Sequence, residues 1–157
     1  MSDGHNRSIT DRRRVPRGGR RSIDRPGKHP AVLVAESYEG VRKSCARYLD
    51  RFNFHVAEAA DGEQALTQIA AEPPQVILTE SNLPAMPVGR LAQWLSQSWR
   101  TRQIPVIVLA GDLDVSEPSS ASQDVRSLVA GVLVKPFTLR VMLEEIRRVL
   151  RVPDAKT

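Results

Sequence analysis

Residues 75–86 read QVILTESNLPAM, and this stretch decides what kind of fold the chain can adopt. Its apolar run begins at Val76, continues to Thr79 and stops at Glu80. A short, unbroken apolar run predicts a strand that is buried on both faces, as in a parallel sheet covered by helices. Glu80 then stands at the carboxyl end of that strand, and in open α/β sheets this is the edge where ligands bind.

The sequence on either side alternates between similar apolar runs and helical patterns. Strands are predicted at residues 31–35, 55–59, 75–79, 104–110 and 132–134. Apolar residues at helical spacing mark residues 41–52, 65–69, 91–99, 124–130 and 139–150. Asp61 is the predicted N-cap of the second helix. Five strands interleaved with five helices predict an α/β fold, a flavodoxin-like (βα)5 doubly wound parallel sheet with strand order 2-1-3-4-5.

Charge divides the chain into a basic tail and a nearly neutral remainder. Residues 1–29 carry nine Arg and Lys against three Asp, whereas the other 128 residues carry 14 basic and 15 acidic groups. The tail has too few large apolar residues to offset its ordering entropy. We therefore expect a disordered Arg-rich tail at 1–29, a folded domain at 30–152 and a short C-terminal tail at 153–157. The basic tail either stays solvated or serves as an arm for nucleic acid or an anionic membrane surface.

The compartment is predicted from cysteine usage and apolar run length. Cys45 is the one cysteine, so no intrachain disulfide can form. The apolar runs are far shorter than the roughly 18 residues of a membrane span, and the N-terminus lacks the apolar stretch of a secretory signal. We expect a cytoplasmic protein with no membrane span. Cys45 falls on the core face of the first helix, and His5, His29 and His55 show no metal-ligand spacing.

Five motifs, taken in order, resemble those of a response-regulator receiver domain. They are VLVAES at 32–37, AADGEQAL at 59–66, LPAM at 83–86, IPVIVLA at 104–110 and VKPF at 134–137. The resemblance implies a flavodoxin-like fold and transfer of a phosphoryl group from a histidine kinase to an aspartate that ends the third strand. It also implies Mg²⁺, held by an acidic pair after the first strand, by the acceptor and by a backbone carbonyl two residues beyond it.

Two of the three acidic positions that the resemblance implies are altered in this chain. Glu36 stands at the first position of the acidic pair, Ser37 replaces the second carboxylate, and Glu80 stands at the acceptor position. Glutamate places its carboxylate about 1.5 Å further out than aspartate, and a displacement of that order can cost about 100-fold in rate. With one carboxylate fewer, only a weakened Mg²⁺ site at Glu36 and Glu80 is expected, and no cofactor is required.

The remaining positions of the resemblance lie on the last two strands and in the turn after the acceptor. Ala110 stands where a Thr or Ser hydroxyl is implied, Lys135 matches the implied lysine, and Val132 occupies the aromatic position. The turn at 84–88 reads PAMPV, where the family has PGMDG. Lys135 is expected to pair with Glu80, whose longer side chain places its charge outward. This cluster is interpreted either as a permanent mimic of the activated state or as a charge cluster that holds the rim of the sheet together.

These features together predict a non-enzymatic, stand-alone, atypical receiver that signals by protein–protein interaction, without normal aspartyl phosphorylation. Two alternatives stay open: a phosphorylatable regulator of a phosphorelay, and a nucleic-acid-binding protein that uses residues 1–29. No effector domain is expected after the last helix. The expected partner is a signalling protein, either a histidine kinase or a downstream effector, and a homodimer is also expected to be able to form.

The resemblance implies that partners contact the surface at residues 124–150. The candidate partner-contact residues on the last helix are Arg140, Glu144, Arg147 and Arg148. A mixed charged surface of this kind can set partner choice. Two tryptophans, Trp94 and Trp99, are predicted on the third helix, for packing or for partner contact.

Overall fold

The computed structural model describes residues 29–111 and 123–151. Within them, the strands are β1 His29–Ala35, β2 Phe54–Ala59, β3 Val76–Glu80, β4 Asn82–Leu83, β5 Met86–Pro87, β6 Val106–Ala110 and β7 Val129–Val134, and the helices are α1 Glu39–Arg51, α2 Gly62–Ala71, α3 Val88–Leu95, α4 Gln123–Leu128 and α5 Leu139–Leu150. The predicted tails lie outside the described residues, except that β1 begins one residue before the predicted domain boundary. None of the described helices is long and apolar enough to cross a bilayer.

The five main strands form one parallel sheet with the order β2-β1-β3-β6-β7. Because β4 and β5 form a separate antiparallel ribbon, this is the predicted order 2-1-3-4-5 of the main strands, and the fold prediction is confirmed. The ribbon was not predicted. Its strands have two residues each, too few to produce an alternating pattern.

Both faces of the sheet are covered, which explains the unbroken apolar runs. Alternate residues of β1 enter opposite cores: Leu33 packs with residues of α2 and α3, while Val32 and Val34 pack with residues of α1 and α5. All three of these side chains are at most 1% exposed. A strand with both faces buried cannot contain a polar face, so its sequence reads as continuous Val, Leu and Ala.

The third helix is shorter than predicted. It ends at Leu95, so the prediction that places Trp99 on this helix is wrong. The hydroxyl of Ser96 donates to the carbonyl oxygen of Gln93 at 2.7 Å, and side-chain bonds of this kind compete with continuation of the helix. Trp99 instead lies in the turns that lead to β6, while Trp94, inside the helix, is half-buried.

The turn between β4 and β5 fixes the loop that follows the acceptor position. Ala85 adopts φ of 68°, a left-handed conformation that favours glycine. The N–H of Gly62, at the start of α2, donates to the carbonyl of Pro84 at 2.8 Å. A Cβ on Gly62 would overlap the Cβ of Met86 and lie 3.1 Å from the backbone of Ala85. The loop after β3 is thereby attached to the first turn of α2.

Candidate functional site

Parallel pairing brings the carboxyl ends of four strands to one edge of the sheet. Residue Ala35 of β1 pairs with Thr79, Glu80 pairs with Leu109 of β6, and the last residue of β6 pairs with Val134 of β7. Four of the predicted site residues stand at or just after these strand ends: Glu36, Glu80, Ala110 and Lys135. We call this group the Glu80 site.

Glu36 is a fully buried carboxylate, and both of its oxygens accept hydrogen bonds. Its Oε1 accepts from the N–H of Tyr38 at 3.1 Å and its Oε2 from Nζ of Lys135 at 2.8 Å. Its backbone is held as well, because its N–H donates to Ala59 and its carbonyl accepts from the guanidinium of Arg42, each at 2.9 Å. A buried carboxylate requires such partners, since an uncompensated charge in the interior is costly.

Glu80 is directed across the rim toward the loop after β1. Its Oε1 accepts from the N–H of Ser37 at 3.0 Å, and its Oε2 lies 3.7 Å from Nζ of Lys135. The side chain is only 15% exposed. The carboxylate of Glu80 thus reaches the Ser37 amide at the rim, and the outward placement of its charge stays a prediction.

The ion pair predicted between Glu80 and Lys135 is present, but it is not the closest one. Lys135 lies 0.9 Å nearer to an oxygen of Glu36 than to one of Glu80, at 2.8 against 3.7 Å. The more deeply buried carboxylate takes the shorter bond because it has no access to water that could replace the ammonium group. One lysine thus serves two carboxylates.

The other two predicted positions lack the groups that phosphoryl transfer in the family uses. Ala110 is buried and offers only its carbonyl, which accepts from the N–H of Lys135 at 2.8 Å. Val132 is half-exposed on β7 and carries no ring. The hydroxyl of Thr79 is in the same region, but it is fully buried and donates to the carbonyl of Glu80 at 3.1 Å.

The two carboxylates of the Glu80 site, where the sequence predicts a weakened magnesium site, are engaged by protein donors in this structure. Mg²⁺ takes six oxygen ligands in near-ideal octahedral geometry. Glu36 and Glu80 are both engaged with backbone N–H groups, and the ammonium of Lys135 lies within 4 Å of both carboxylates. Among the described residues, no three His, Cys, Asp or Glu side chains come together as a metal-binding group. The ammonium supplies the positive charge that the two carboxylates need.

Sequence reasoning did not find Arg42, which connects the site to the neighbouring strand. Its guanidinium donates to the carbonyl of Glu36 at 2.9 Å and to the carboxylate of Glu58 on β2 at 3.3 Å. Lys43 also bonds Glu58, at 3.3 Å. These contacts join residues 6 to 16 positions apart in different elements, and neither helical nor strand periodicity carries a signal for them.

An apolar groove of about 780 Å³ adjoins the Glu80 site between α1 and the loop after β7. Its lining includes Tyr38, Cys45, Lys135 and Phe137. Cys45 is 1% exposed, and burial, reinforced by the charge of Glu36, raises the pKa of its thiol to about 11. A thiol with such a pKa is protonated at neutral pH and is a poor nucleophile, as expected for a packing residue.

The four predicted partner-contact residues of α5 face different neighbours. Arg140 and Glu144 are highly exposed and pair at 3.2 Å. Arg148 bonds Glu145 of the same helix and donates to the carbonyl of Ala130, on β7, at 2.7 Å. The charged groups between α5 and β7 are therefore largely paired with one another.

Arg147, the fourth of these residues, lies near the end of α1. It is half-buried, and its guanidinium lies 5.5 Å from the ring centroid of Phe52, at the end of α1. Arg140, Glu144 and Arg148 are exposed, so they are better placed than Arg147 to contact a partner.

Comparisons with known proteins agree with this geometry. The family model described as the response regulator receiver domain matches residues 32–147. Transcriptional regulatory protein PrrA of Mycobacterium tuberculosis is 32% identical over 125 residues, which cover 78% of this chain and 50% of PrrA. Chemotaxis protein CheY of Pseudomonas aeruginosa is 26% identical over 119 residues, covering 75% of this chain and 94% of CheY. The chain thus spans about half the length of PrrA and nearly all of CheY.

Solved structures show the same architecture. The chemotaxis response regulator CheY4 of Vibrio cholerae superposes with a TM-score of 0.65 at 25% identity, covering 76% of this chain and 97% of CheY4. A sensor protein from Polaromonas sp. JS666 superposes with a TM-score of 0.69 at 23% identity, covering 78% and 97%. With its family match, its strand order and its lysine and carboxylates at the carboxyl edge of the sheet, the chain belongs to the response regulator receiver domain family of two-component signalling systems.

Proposed function

We propose that this chain is an atypical receiver domain that signals by binding other proteins and does not undergo normal aspartyl phosphorylation. One observation carries the proposal: the carboxylate at the acceptor position, Glu80, accepts from the Ser37 amide and lies beside Lys135. The acceptor group is thus held by the protein itself, in contact with N–H donors that a phosphoryl oxygen would otherwise use.

The chemistry of phosphoryl transfer supports the same conclusion. In-line attack needs reacting atoms held near 3 Å, and catalysis comes mainly from positioning and from neutralising charge on the transferred group. Here the acceptor is a glutamate whose carboxylate is hydrogen-bonded to the Ser37 amide, and Ala110 offers no hydroxyl. The missing acceptor aspartate and the missing hydroxyl both affect the phosphoryl-transfer step, so their effects on the rate of that step multiply.

The charge cluster supports a structural role over a permanent mimic of activation. Glu36 is buried and needs Lys135, and the carboxylate of Glu80 is bonded across the rim to the Ser37 amide. Switching requires an element with two stable arrangements, and the half-exposed Val132 supplies no ring for one. Output then depends on which protein binds the domain.

The expected partner is a histidine kinase or a downstream effector in the cytoplasm. The exposed Arg140–Glu144 pair on α5 is a candidate contact. A second copy of the chain can use the same surface, and sedimentation at several protein concentrations tests this. Screened surface charges of this kind determine partner choice and association rate more than affinity.

Intact-mass spectrometry tests whether the site accepts a phosphoryl group. The full chain is incubated with acetyl phosphate and Mg²⁺, and we expect no mass increase. The matched variant carries Ser37→Asp, Glu80→Asp and Ala110→Thr together, and it should gain one phosphoryl group. Thermal melts confirm that both proteins are folded.

Either protein can contradict the proposal. A phosphoryl group on the unaltered chain, mapped by peptide sequencing to Glu80, would support the phosphorelay alternative. An unmodified triple variant that still folds would show that the three positions do not explain the lack of acceptance. In that case the explanation from Ser37, Glu80 and Ala110 is wrong.

A further inference from the structure

The turn at residues 98–102, which we call the Trp99 turn, contains one aromatic residue, Trp99, and two arginines, Arg100 and Arg102. Trp99 is 75% exposed, more than any other large apolar side chain in the described ranges. The guanidinium of Arg100 lies 5.8 Å from the indole centroid, and Arg102 is exposed as well. One exposed apolar side chain is ordinary, so the inference depends on how the turn is held and on what surrounds it.

The Trp99 turn is anchored to the core by Thr101. This residue is 5% exposed, and its hydroxyl donates to the carbonyl of Leu95 at 2.7 Å. The N–H of Arg102 closes a helical turn on the carbonyl of Ser98 at 2.9 Å. Residues three apart on such a turn are neighbours, so Trp99 and Arg102 project from the same side. A side-chain set that is already ordered loses less entropy on binding.

The chain segment that carries the Trp99 turn has charge of one sign. Residues 81–111 contain Arg90, Arg100 and Arg102 but no Lys, Asp or Glu. In the part of the chain that the structure describes, the ion pairs of lysine and arginine involve neither Arg100 nor Arg102. Within residues 29–111 and 123–151, these two guanidinium groups have no carboxylate partner and can bind anions from outside the domain.

The composition of this surface matches the centre of a protein interface. Such centres are enriched in Trp and Arg and depleted in Lys, Asp and Glu, and the binding energy is concentrated in a few Trp, Tyr and Arg side chains. Single-stranded nucleic acid instead requires several stacking rings along a basic groove. The turn offers one ring, Trp99, with the Arg100 guanidinium beside it. A protein partner is therefore favoured over a nucleic acid.

We propose that the Trp99 turn docks an acidic segment of a partner protein. Carboxylates of the segment would bind Arg100 and Arg102, since guanidinium groups form bidentate hydrogen bonds with carboxylates, and an apolar residue would contact the indole of Trp99. The turn precedes β6, so it lies at the amino edge of the sheet, opposite the Glu80 site. The inference uses only the proposed role as a binding module, and its test is independent of phosphoryl chemistry.

Fluorescence anisotropy with a defined peptide tests this docking site. The probe is a labelled peptide of alternating Glu and Asp with one central Leu, titrated with the full chain at low salt. Trp99→Ala and Arg102→Glu should each weaken binding by about tenfold or more, as for interface hot spots. Arg47→Glu is the matched control, because Arg47 is an exposed arginine on α1 and the change in net charge equals that of Arg102→Glu.

Three results would overturn the docking proposal. Equal loss in Arg47→Glu would show general attraction to a basic protein, and unchanged binding in Trp99→Ala would show that the ring makes no contact. An oligothymidine that binds more tightly than the peptide, and loses affinity in Trp99→Ala, would assign the turn to nucleic acid. Peptide binding by these variants does not depend on whether the chain accepts a phosphoryl group. A failure of one proposal is therefore distinguishable from a failure of the other.

Discussion

Lys135 is the residue on which the charge balance of the Glu80 site depends. Its ammonium lies 2.8 Å from the buried Glu36 and 3.7 Å from the partly exposed Glu80. The lysine itself is 31% exposed and keeps some contact with water. Removing Lys135 therefore has a different effect from removing the Glu36 carboxylate. Without Glu36, Lys135 can turn to solvent, whereas Glu36 without Lys135 stays buried and unpaired.

This asymmetry predicts different costs for two substitutions. Lys135→Met should lower the free energy of unfolding by about 3 kcal/mol, because it leaves a buried carboxylate uncompensated. Glu36→Gln should cost only about 1 kcal/mol, since glutamine can still accept from the Tyr38 amide. Urea denaturation of the purified chain at neutral pH measures both values.

The double variant is the control for this interpretation. Lys135→Met combined with Glu36→Gln should be more stable than Lys135→Met alone, because the unpaired charge is gone. If the double variant is instead as unstable as the sum of the single changes, the cost comes from lost packing of the lysine stem and the charge argument is wrong.

At the residue scale, the sequence predicted which groups meet but not how they bond. Order along the chain and parallel pairing were enough to place Glu36, Glu80, Ala110 and Lys135 at one edge. The closer partner of Lys135 depends on sub-ångström differences in side-chain position. The hydrogen bond between the Glu80 carboxylate and the Ser37 amide depends on the rotamer of Glu80. No sequence pattern encodes this rotamer or the closer partner of Lys135.

At the element scale, two glycines at helix starts have opposite roles. Gly62 begins α2 and lies against Met86 and the backbone of Ala85, so a side chain there would push the β4–β5 ribbon away. Gly89, near the start of α3, has no heavy atom within 4 Å of the place where a Cβ would stand. Glycine is required at position 62 because neighbouring atoms lie too close for a side chain, whereas position 89 has room for one.

Substitution of each glycine by alanine should therefore change stability in opposite directions. Gly62→Ala should cost about 1–3 kcal/mol through overpacking. Gly89→Ala should add about 0.5–1 kcal/mol, because alanine loses less backbone entropy in a helix. Thermal unfolding of the two variants beside the unaltered chain measures the difference, and a shift of the same sign in both would refute the close-approach argument.

Element boundaries were less predictable than element types. All five main strands and five helices were expected in the observed order. The third helix was predicted too long because the apolar spacing reaches Trp99, while Ser96 to Ser98 end the helix through side-chain and turn hydrogen bonds. The fifth main strand starts at Val129, three residues before the predicted start, because β6 supplies pairing partners that extend it.

At the scale of the whole molecule, two apolar cores on either side of one sheet hold the Glu80 site in place. The core beneath α1 and α5 contains Cys45, the one ionisable side chain among its fully buried members. Burial raises the pKa of its thiol to about 11, so the thiol stays neutral in the folded domain below that pH. Global stability at alkaline pH is therefore linked to a residue that takes no part in the proposed function.

The direction of this linkage follows from the raised pKa of Cys45, about 11 in the folded chain against 9.0 for a free thiol. Between pH 9 and pH 11 the unfolded chain loses the thiol proton while the folded chain keeps it, so stability is fully present below pH 9 and falls as the pH rises. Two pKa units correspond to at most about 2.7 kcal/mol by pH 11.

The contribution of Cys45 is measured as a difference between two proteins. Urea denaturation is carried out from pH 7 to pH 11 on the unaltered chain and on Cys45→Ala. The variant should be less stable at neutral pH, because it leaves a cavity, yet its stability should decline less steeply above pH 9. Curves that stay parallel throughout would mean that water reaches the thiol and that the core beneath α1 and α5 is not closed around it.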